Sequence, residues 1–432
     1  MTLSFGLCLI TLLLMAGIGA PIALSMLISA IVYVAVKGQD MSLPAEQMIE
    51  GLYDSFVLLA VPLFIVAANI MNAGTISERL LKFCVALVGR FRGGLGHVNV
   101  VANLIFAGMS GSAVADAAGI GKIIIEMMTK DGRYPRGYAA AITAAASTIG
   151  PIIPPSIPMV LYALVSDQSI GYLFLGGIIP GLLMGLVLMI LNAWMATRRD
   201  FKLEEGIEIR ELPRLTLNAF PALLMPVILL YGIYGGVTTP TEAAAVAAAY
   251  ALILAGLFYR ALSLRSLYKI MLQSAHSSAA VGMIIGGALI FNYIVASENI
   301  PAQVQAAVDS WQLSPMVFLL AVNGILLVLG CLLDASTIIL VIIPLFIPAC
   351  RHLHIDLVHF GVVVVVNCMI GLITPPYGIV LFVLNAVTGI PLREIIREIW
   401  LFIAVLVIAL LIMIFVPESV LWLPQLFGYV GG

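Results

Sequence analysis

The chain has 432 residues, of which 62% are hydrophobic and only 10% are charged, and its formal net charge is −2. Soluble domains carry about 25% charged residues, so this composition excludes a soluble globular protein, and the absence of a basic tract gives no sign of nucleic-acid binding. Many apolar runs approach the roughly 20 residues that cross a bilayer as a helix, whereas the alternating segments of about 10 residues typical of barrels are absent. We therefore predict an all-α polytopic membrane protein.

The first half, about 1–196, is predicted to contain five spans and one helical hairpin. An apolar run at about 3–36 is long enough for two spans, which Pro21 divides, and a third span follows at about 53–73. The segment 76–92 mixes charged and apolar residues and suits a helix in the membrane interface. The remaining elements are a re-entrant hairpin at about 96–130, a span with a break at about 137–165, and a span at about 171–196.

A charged linker at 197–216 separates this half from a second half, 217–432, that repeats the plan. The interfacial segment of this half is predicted at 297–311, and its hairpin at about 314–350. The other elements are spans at about 217–236, 240–259, 270–296, 358–386 and 398–416, the fourth of which contains a break.

The two halves match without gaps around two tandem prolines. The stretch GPIIPPSIP begins at Gly150, and GLITPPYGI begins 221 positions later at Gly371. Because each half has an odd number of spans, the second half would enter the membrane from the opposite side, which makes an inverted-topology repeat.

The distribution of basic residues agrees with inverted halves. The connection KDGRYPR, 130–136, carries three basic residues, but its counterpart RHLHID, 351–356, carries one arginine. The segment 258–269 is basic and 297–311 is acidic. By the positive-inside rule, 130–136, 258–269 and the linker face the cytoplasm, and both termini are predicted to be periplasmic.

The tandem prolines indicate a binding site. Pro154, Pro155, Pro375 and Pro376 each lack an N–H and are predicted to break their helices. Broken backbone at membrane depth is tolerated where it lines a cavity. The half-helix after each break would attract an anion, and the unwound carbonyls would attract a cation. The alternative, which the residues leave open, is that the prolines are ordinary kinks.

The two hairpin tips carry the polar residues nearest the breaks. The first tip contains Ser110, Gly111 and Ser112, and the second is predicted around Asp334. Small residues at a tip are also typical of close helix packing. Asp116 and Asp334 are the acids nearest the tips, and each is either functional, as intramembrane carboxylates usually are, or a helix cap.

These motifs resemble the large membrane subunit (M subunit) of the tripartite ATP-independent periplasmic (TRAP) transporters. The resemblance covers the whole chain and rests on VPLFIVAANIM, MSGSAVADAAGIG, IGPIIPPSIP and IGLITPPYG. It implies sodium-driven symport of a small organic acid across the bacterial inner membrane, by an elevator movement of a transport domain against a scaffold. It also implies no enzymatic activity, no cofactor besides Na⁺ as coupling ion, and two partners. These are a small four-span membrane subunit, expected as a separate polypeptide, and an extracytoplasmic solute-binding protein.

The resemblance also implies which residues bind ions and substrate. One sodium site would use Ser110, Gly111, Ser112, Thr148 and Gly150, and the other would use Asp334, Ser336, Thr337, Gly371 and Thr374. The substrate would contact Ser112, Pro155, Ser156, Pro376 and Tyr377. Thr374 precedes the second proline pair, whereas Ile153 precedes the first, so the two cation sites are expected to differ.

The same sequence features are compatible with other functions to different degrees. A sodium-coupled dicarboxylate carrier that works without a binding protein is the nearest alternative, and a channel fits two symmetric hairpins less well. An intramembrane zinc enzyme would use His352, His354 and His359, which are interpreted as residues of a solvated external connection. The five cysteines are interpreted as core residues, and no phosphate-binding loop for ATP is present. The acid that is carried is left open.

Overall fold

The computed structural model describes residues 2–53, 56–72, 75–201 and 211–431, and this part of the chain contains helices and no strand. Five of the described helices are long and apolar enough to cross a bilayer, and a bent pair would add a sixth. The chain is therefore an all-helical membrane protein, as its composition predicts.

The first half contains eleven described α-helices. Pro21 lies directly before the second helix, where a missing N–H costs nothing because the first helical N–H groups have no partner within the helix. The helices are α1 Leu3–Gly17, α2 Ile22–Lys37, α3 Leu43–Tyr53, α4 Ala60–Met71, α5 Thr75–Val88, α6 Gly94–Ser110, α7 Ala113–Asp116, α8 Lys122–Thr129, α9 Arg136–Ser147, α10 Ile157–Ser166 and α11 Ile170–Arg198.

The second half also contains eleven described α-helices. They are α12 Leu212–Tyr234, α13 Pro240–Ile253, α14 Leu264–Ser297, α15 Ile300–Ser310, α16 Pro315–Gly330, α17 Ala335–Thr337, α18 Ile347–His352, α19 Leu357–Gly371, α20 Ile379–Thr388, α21 Leu392–Phe415 and α22 Glu418–Leu426. Nine of the 20 residues of the predicted linker, 202–210, lie outside the described residues.

Three predicted features differ from the structure. The span predicted at 53–73 is one arm of a bent pair, since α3 precedes it at an angle of 76°. The segment between the second and third predicted spans is expected to be a connection, but it forms α3, whose Leu43, Met48 and Leu52 pack on the core. His359, predicted in an external connection, is buried in α19 and hydrogen-bonds the Met413 carbonyl at 2.9 Å.

The helices pack as two groups. α1–α4 pack with α12–α14, whereas α6–α11 pack with α16–α22. The groups meet where α4 and α12 contact α6, and where α14 contacts the second hairpin. α5 lies at the joint, because it packs on both α12 and α6.

The contacts between the halves occur in matched pairs. α2 packs on α14, and correspondingly α4 packs on α13. α10 packs on the second hairpin, and correspondingly α20 packs on the first hairpin. Each hairpin is therefore in contact with the broken helix of the other half.

Glu298, just after the end of α14, joins the ends of α1, α2 and α14. Its carboxylate accepts hydrogen bonds from the hydroxyls of Thr2 at 2.6 Å and Tyr33 at 2.8 Å, and Lys37 lies 3.2 Å away. The bond from Thr2, followed by the bond from Tyr33, lowers the pKa of Glu298 below its ordinary value, because both stabilise the charged form. The contacts of Glu298 therefore hold α1, α2 and α14 together at one end of the first group.

Candidate functional site

The first predicted break lies between α9 and α10 and is held by local hydrogen bonds. The N–H of Gly150 donates to the Ser147 carbonyl at 3.2 Å. The hydroxyl of Ser156 donates to the Pro151 carbonyl and accepts from the N–H of Met159 at 3.2 Å, so it caps α10. The hydroxyl of Ser156, predicted to contact substrate, is thus engaged by its own helix end.

The second break lies between α19 and α20, 221 positions later. The peptide bond between its two prolines is cis, as is the corresponding bond of the first break. The Thr374 hydroxyl donates to the Ile370 carbonyl at 2.7 Å, and the chain enters α20 through Gly378 with a φ of 51°. The oxygen of Thr374 keeps its lone pairs free toward a cation, since its hydrogen bond uses only the proton.

The two breaks differ in accessibility. The first is enclosed, because the tip of the first hairpin and α11 pack directly on its backbone. A Cβ at Gly111 would overlap the Pro155 carbonyl oxygen, and a Cβ at Gly177 would overlap the Ile152 carbonyl oxygen. The second break is open, since Tyr377 is 53% exposed. Its polar backbone is accordingly the more accessible of the two.

A buried carboxylate lies between the first tip and the first break. Asp116 is 1% exposed, and its Oδ1 accepts a hydrogen bond from the Ser110 hydroxyl. Its Oδ2 is buried and has no hydrogen-bond partner among the described residues. This oxygen faces Gly150, where a Cβ would overlap it. A buried carboxylate oxygen without a donor is costly, and a bound cation is one way to satisfy it.

The tip of the second hairpin uses its carboxylate differently. Asp334 caps α17, since its Oδ2 accepts from the N–H of Thr337 at 3.1 Å and its Oδ1 accepts from the Thr337 hydroxyl. The hairpin meets the break where Gly330 and Gly371 pack backbone to backbone. Ser336 is partly buried on the same turn. Both oxygens of Asp334 are engaged here, in contrast to those of Asp116.

Buried amides join the first arm of each hairpin to the broken helix of its own half. The Asn99 amide donates to the Thr143 hydroxyl at 2.6 Å, and the Asn367 amide donates to the Asn323 side-chain oxygen at 2.9 Å. All four side chains are at most 4% exposed. Each bond would be expensive to leave unmade, so it holds the hairpin in register with its break.

The second arms of the hairpins share a feature that no sequence motif indicated. Each contains a π-helical turn, at Ala117–Gly121 and at Ile338–Ile342. These turns are 221 positions apart, as are the proline pairs, and π-turns are frequent at functional sites. At this spacing of 221 residues Asp116 corresponds to Thr337, so the carboxylates of the two hairpins, Asp116 and Asp334, are not at matching positions.

The predicted residues thus fall into two clusters. The first tip, Asp116 and Gly150 meet at the first break, where Thr148 is fully buried with its hydroxyl donating to the Ala145 carbonyl at 2.6 Å. Gly371 and the second hairpin meet at the second break. Ser112 caps α7 through the N–H of Ala115 at 3.4 Å and is partly exposed. Each cluster offers carbonyl and hydroxyl oxygens, the ligand type that hard cations prefer.

Comparisons with known proteins identify the family. Residues 9–419 match the family model of the tripartite ATP-independent periplasmic transporter, DctM component. The sialic acid TRAP transporter large permease protein SiaM of Vibrio cholerae is 39% identical over 95% of this chain and 96% of its own length. The C4-dicarboxylate TRAP transporter large permease protein DctM of Pseudomonas aeruginosa is 40% identical over 87% of this chain and 88% of its own.

A solved structure agrees in fold. The YdaH transporter of Alcanivorax borkumensis superposes with a TM-score of 0.57 over 86% of this chain and 85% of that one, at 16% identity. The resemblance indicated by the hairpin and proline motifs is therefore confirmed. The chain belongs to the TRAP transporter family, as a DctM component, the large permease of these systems.

Proposed function

We propose that this protein is a sodium-driven symporter that imports a small organic acid across the bacterial inner membrane. Two of the relatives are named for sialic acid and C4-dicarboxylates, which are both carboxylates. Substrate would arrive from a periplasmic binding protein, and a small membrane subunit would accompany the chain.

The observation that carries sodium coupling is the free carboxylate oxygen of Asp116. A charged carboxylate that is buried to 1% exposure is stabilised by a positive partner, and no described lysine, arginine or histidine forms an ion pair with it. A sodium ion between this oxygen, Ser110 and the backbone at Thr148 and Gly150 would supply the charge. Asp116 thereby extends the ligand set proposed for the first site.

The second ion would bind without a free carboxylate. Thr374, Gly371 and the tip around Asp334 and Ser336 would supply the oxygens. The substrate carboxylate would lie between the two ions, near Pro155 and the accessible pair of Pro376 and Tyr377. In this arrangement the ions neutralise the substrate, because no lysine or arginine lies at the breaks.

The two packing groups support an elevator movement. The group that carries both hairpins and both breaks would be the transport domain, and α1–α4 with α12–α14 would be the scaffold. The matched contacts between the halves support inverted repeats. The basic connections 130–136 and 258–269 support termini in the periplasm. Movement of the whole transport domain would expose the site alternately to each side of the membrane.

The test is uptake into proteoliposomes that contain the chain and its small subunit, with and without the binding protein. We expect uptake to require an inward sodium gradient and the binding protein. Asp116→Asn should abolish sodium-dependent stabilisation of the purified protein, which is measured without substrate. Asp131→Asn is the control, since Asp131 is an exposed acid in the 130–136 connection.

Sodium-independent uptake would refute the coupling. Uptake at the same rate without the binding protein would instead favour the alternative carrier that needs none. If Asp116→Asn kept the parental response to sodium, the carboxylate would be excluded from the ion site.

A further inference from the structure

An open, charged cavity of about 540 Å³ lies between α5 and α12, away from both breaks. α5 contributes two basic side chains to it, and the first turn of α12 contributes a third. Carboxylates and an amide complete the polar wall. The polar lining residues are Glu78, Arg79, Lys82, Glu211, Arg214 and Asn218.

The basic side chains of this cavity have no acidic partners among the described residues. Lys82 and Arg214 form no ion pair there, although Glu78 and Glu211 lie in the same wall. The guanidinium of Arg79 lies 4.7 Å from the centre of the Tyr259 ring, and its only described partner is this ring. Among the described lining residues, three cations therefore outnumber two carboxylates.

The cavity opens next to a lipid-facing apolar surface. α12 is long and apolar enough to span the membrane, and Leu217 and Phe220, about one and two turns beyond the basic residue at its start, are 73% and 51% exposed. α5 carries its apolar side inward, with Ile76 and Leu80 fully buried, while Lys82 is exposed. In a bilayer that α12 spans, this arrangement would place the cations at headgroup depth and the apolar side chains at acyl-chain depth.

We propose that the cavity binds the headgroup of an anionic phospholipid of the phosphatidylglycerol type. The phosphate would accept charge-assisted hydrogen bonds from Arg79, Lys82 and Arg214. The headgroup hydroxyls would donate to Glu78 and Glu211, and the acyl chains would lie along α12. Basic pockets between membrane helices bind anionic headgroups in this way.

Because the cavity lies between α5 and α12, a bound lipid would connect these two helices. α5 packs on both α12 and α6, the first arm of the first hairpin. A headgroup held by both α5 and α12 would fasten the connection between the two packing groups. This inference needs only the membrane location of the chain and is independent of sodium coupling.

The experiment measures thermal stabilisation of the detergent-purified chain, alone and with its small membrane subunit. The probes are phosphatidylglycerol, phosphatidylethanolamine, phosphatidylcholine and soluble glycerol phosphate. The test variant is Lys82→Gln with Arg214→Gln. The control is Arg265→Gln with Lys269→Gln, which removes the same charge from the start of α14, outside the cavity.

We expect phosphatidylglycerol to stabilise the parental and control proteins, and glycerol phosphate to have no effect. A basic residue near an anionic surface contributes roughly a factor of 5 in affinity, so the test variant, which lacks two, should bind about 25-fold more weakly. An undiminished response of the test variant would overturn the proposal. Equal stabilisation by phosphatidylethanolamine, or by glycerol phosphate alone, would overturn the anionic-lipid assignment. Loss of the response with the small subunit bound would assign the cavity to a subunit contact instead.

Discussion

Gly371→Ala offers a direct test of how the second hairpin positions the second break. Gly371 ends α19, and a Cβ there would lie 2.7 Å from the Cα of Gly330 and 2.9 Å from its carbonyl oxygen. Ordinary contact begins near 3.4 Å. The first arm of the hairpin would thus have to move away by about 0.7 Å, since both contacting groups are backbone and neither can rotate aside.

The expected effect is a loss of transport without a loss of helix stability. Alanine in place of glycine favours a helix by about 1 kcal/mol, so α19 itself gains. A displacement of about 1 Å in a binding site can cost about 100-fold in rate. Because the interior is close-packed and does not absorb the shift, we expect sodium-driven uptake to fall by at least about tenfold.

Gly324→Ala is the matched control. Gly324 lies in α16 two turns before Gly330, and a Cβ there meets nothing within 4 Å. This variant gains the same helix propensity without the clash and should transport at the parental rate. Uptake in proteoliposomes, with thermal unfolding of the same preparations, separates the two. Parental uptake and sodium dependence in Gly371→Ala would show that the contact between hairpin and break does not position the site.

Three further changes test other parts of the structure. Thr374→Val should weaken the sodium dependence of uptake. Thr388→Val, which removes a similar hydroxyl hydrogen bond at the end of α20, should leave it unchanged. Equal effects of the two variants would exclude Thr374 from the sodium site. In a chain without its native cysteines, Lys130→Cys should be labelled only from the cytoplasm and His354→Cys only from the periplasm, and labelling from one side would refute inverted halves. The pKa of Glu298 is lowered in the folded protein, so its contribution to stability is present above its unfolded pKa of about 4.3 and is lost as pH falls through the folded value. Glu298→Gln should therefore lower the melting temperature at pH 7 and have a diminishing effect toward pH 4, and a pH-independent difference would contradict this reasoning.

The membrane class and the positions of the breaks were predictable from sequence because their causes are local. A proline lacks its N–H in every context, so the pairs at 154–155 and 375–376 mark the breaks that separate α9 from α10 and α19 from α20. Composition likewise indicates that lipid surrounds much of the protein, since 10% charged residues cannot cover a water-exposed surface. The prediction of re-entrant hairpins rests on apolar arms that flank small and polar residues.

Contacts between distant residues had no local signal. Asp116 and Asp334 are both acids near a hairpin tip in sequence, yet only the fold shows that Asp116 has a buried oxygen without a described partner, whereas Asp334 caps a helix with both oxygens. The helix α3 was missed because its few apolar residues are meaningful only beside α14. Local chemistry determines where a helix must stop, whereas the partner of a side chain depends on which distant backbone packs against it, and that is decided by the tertiary structure.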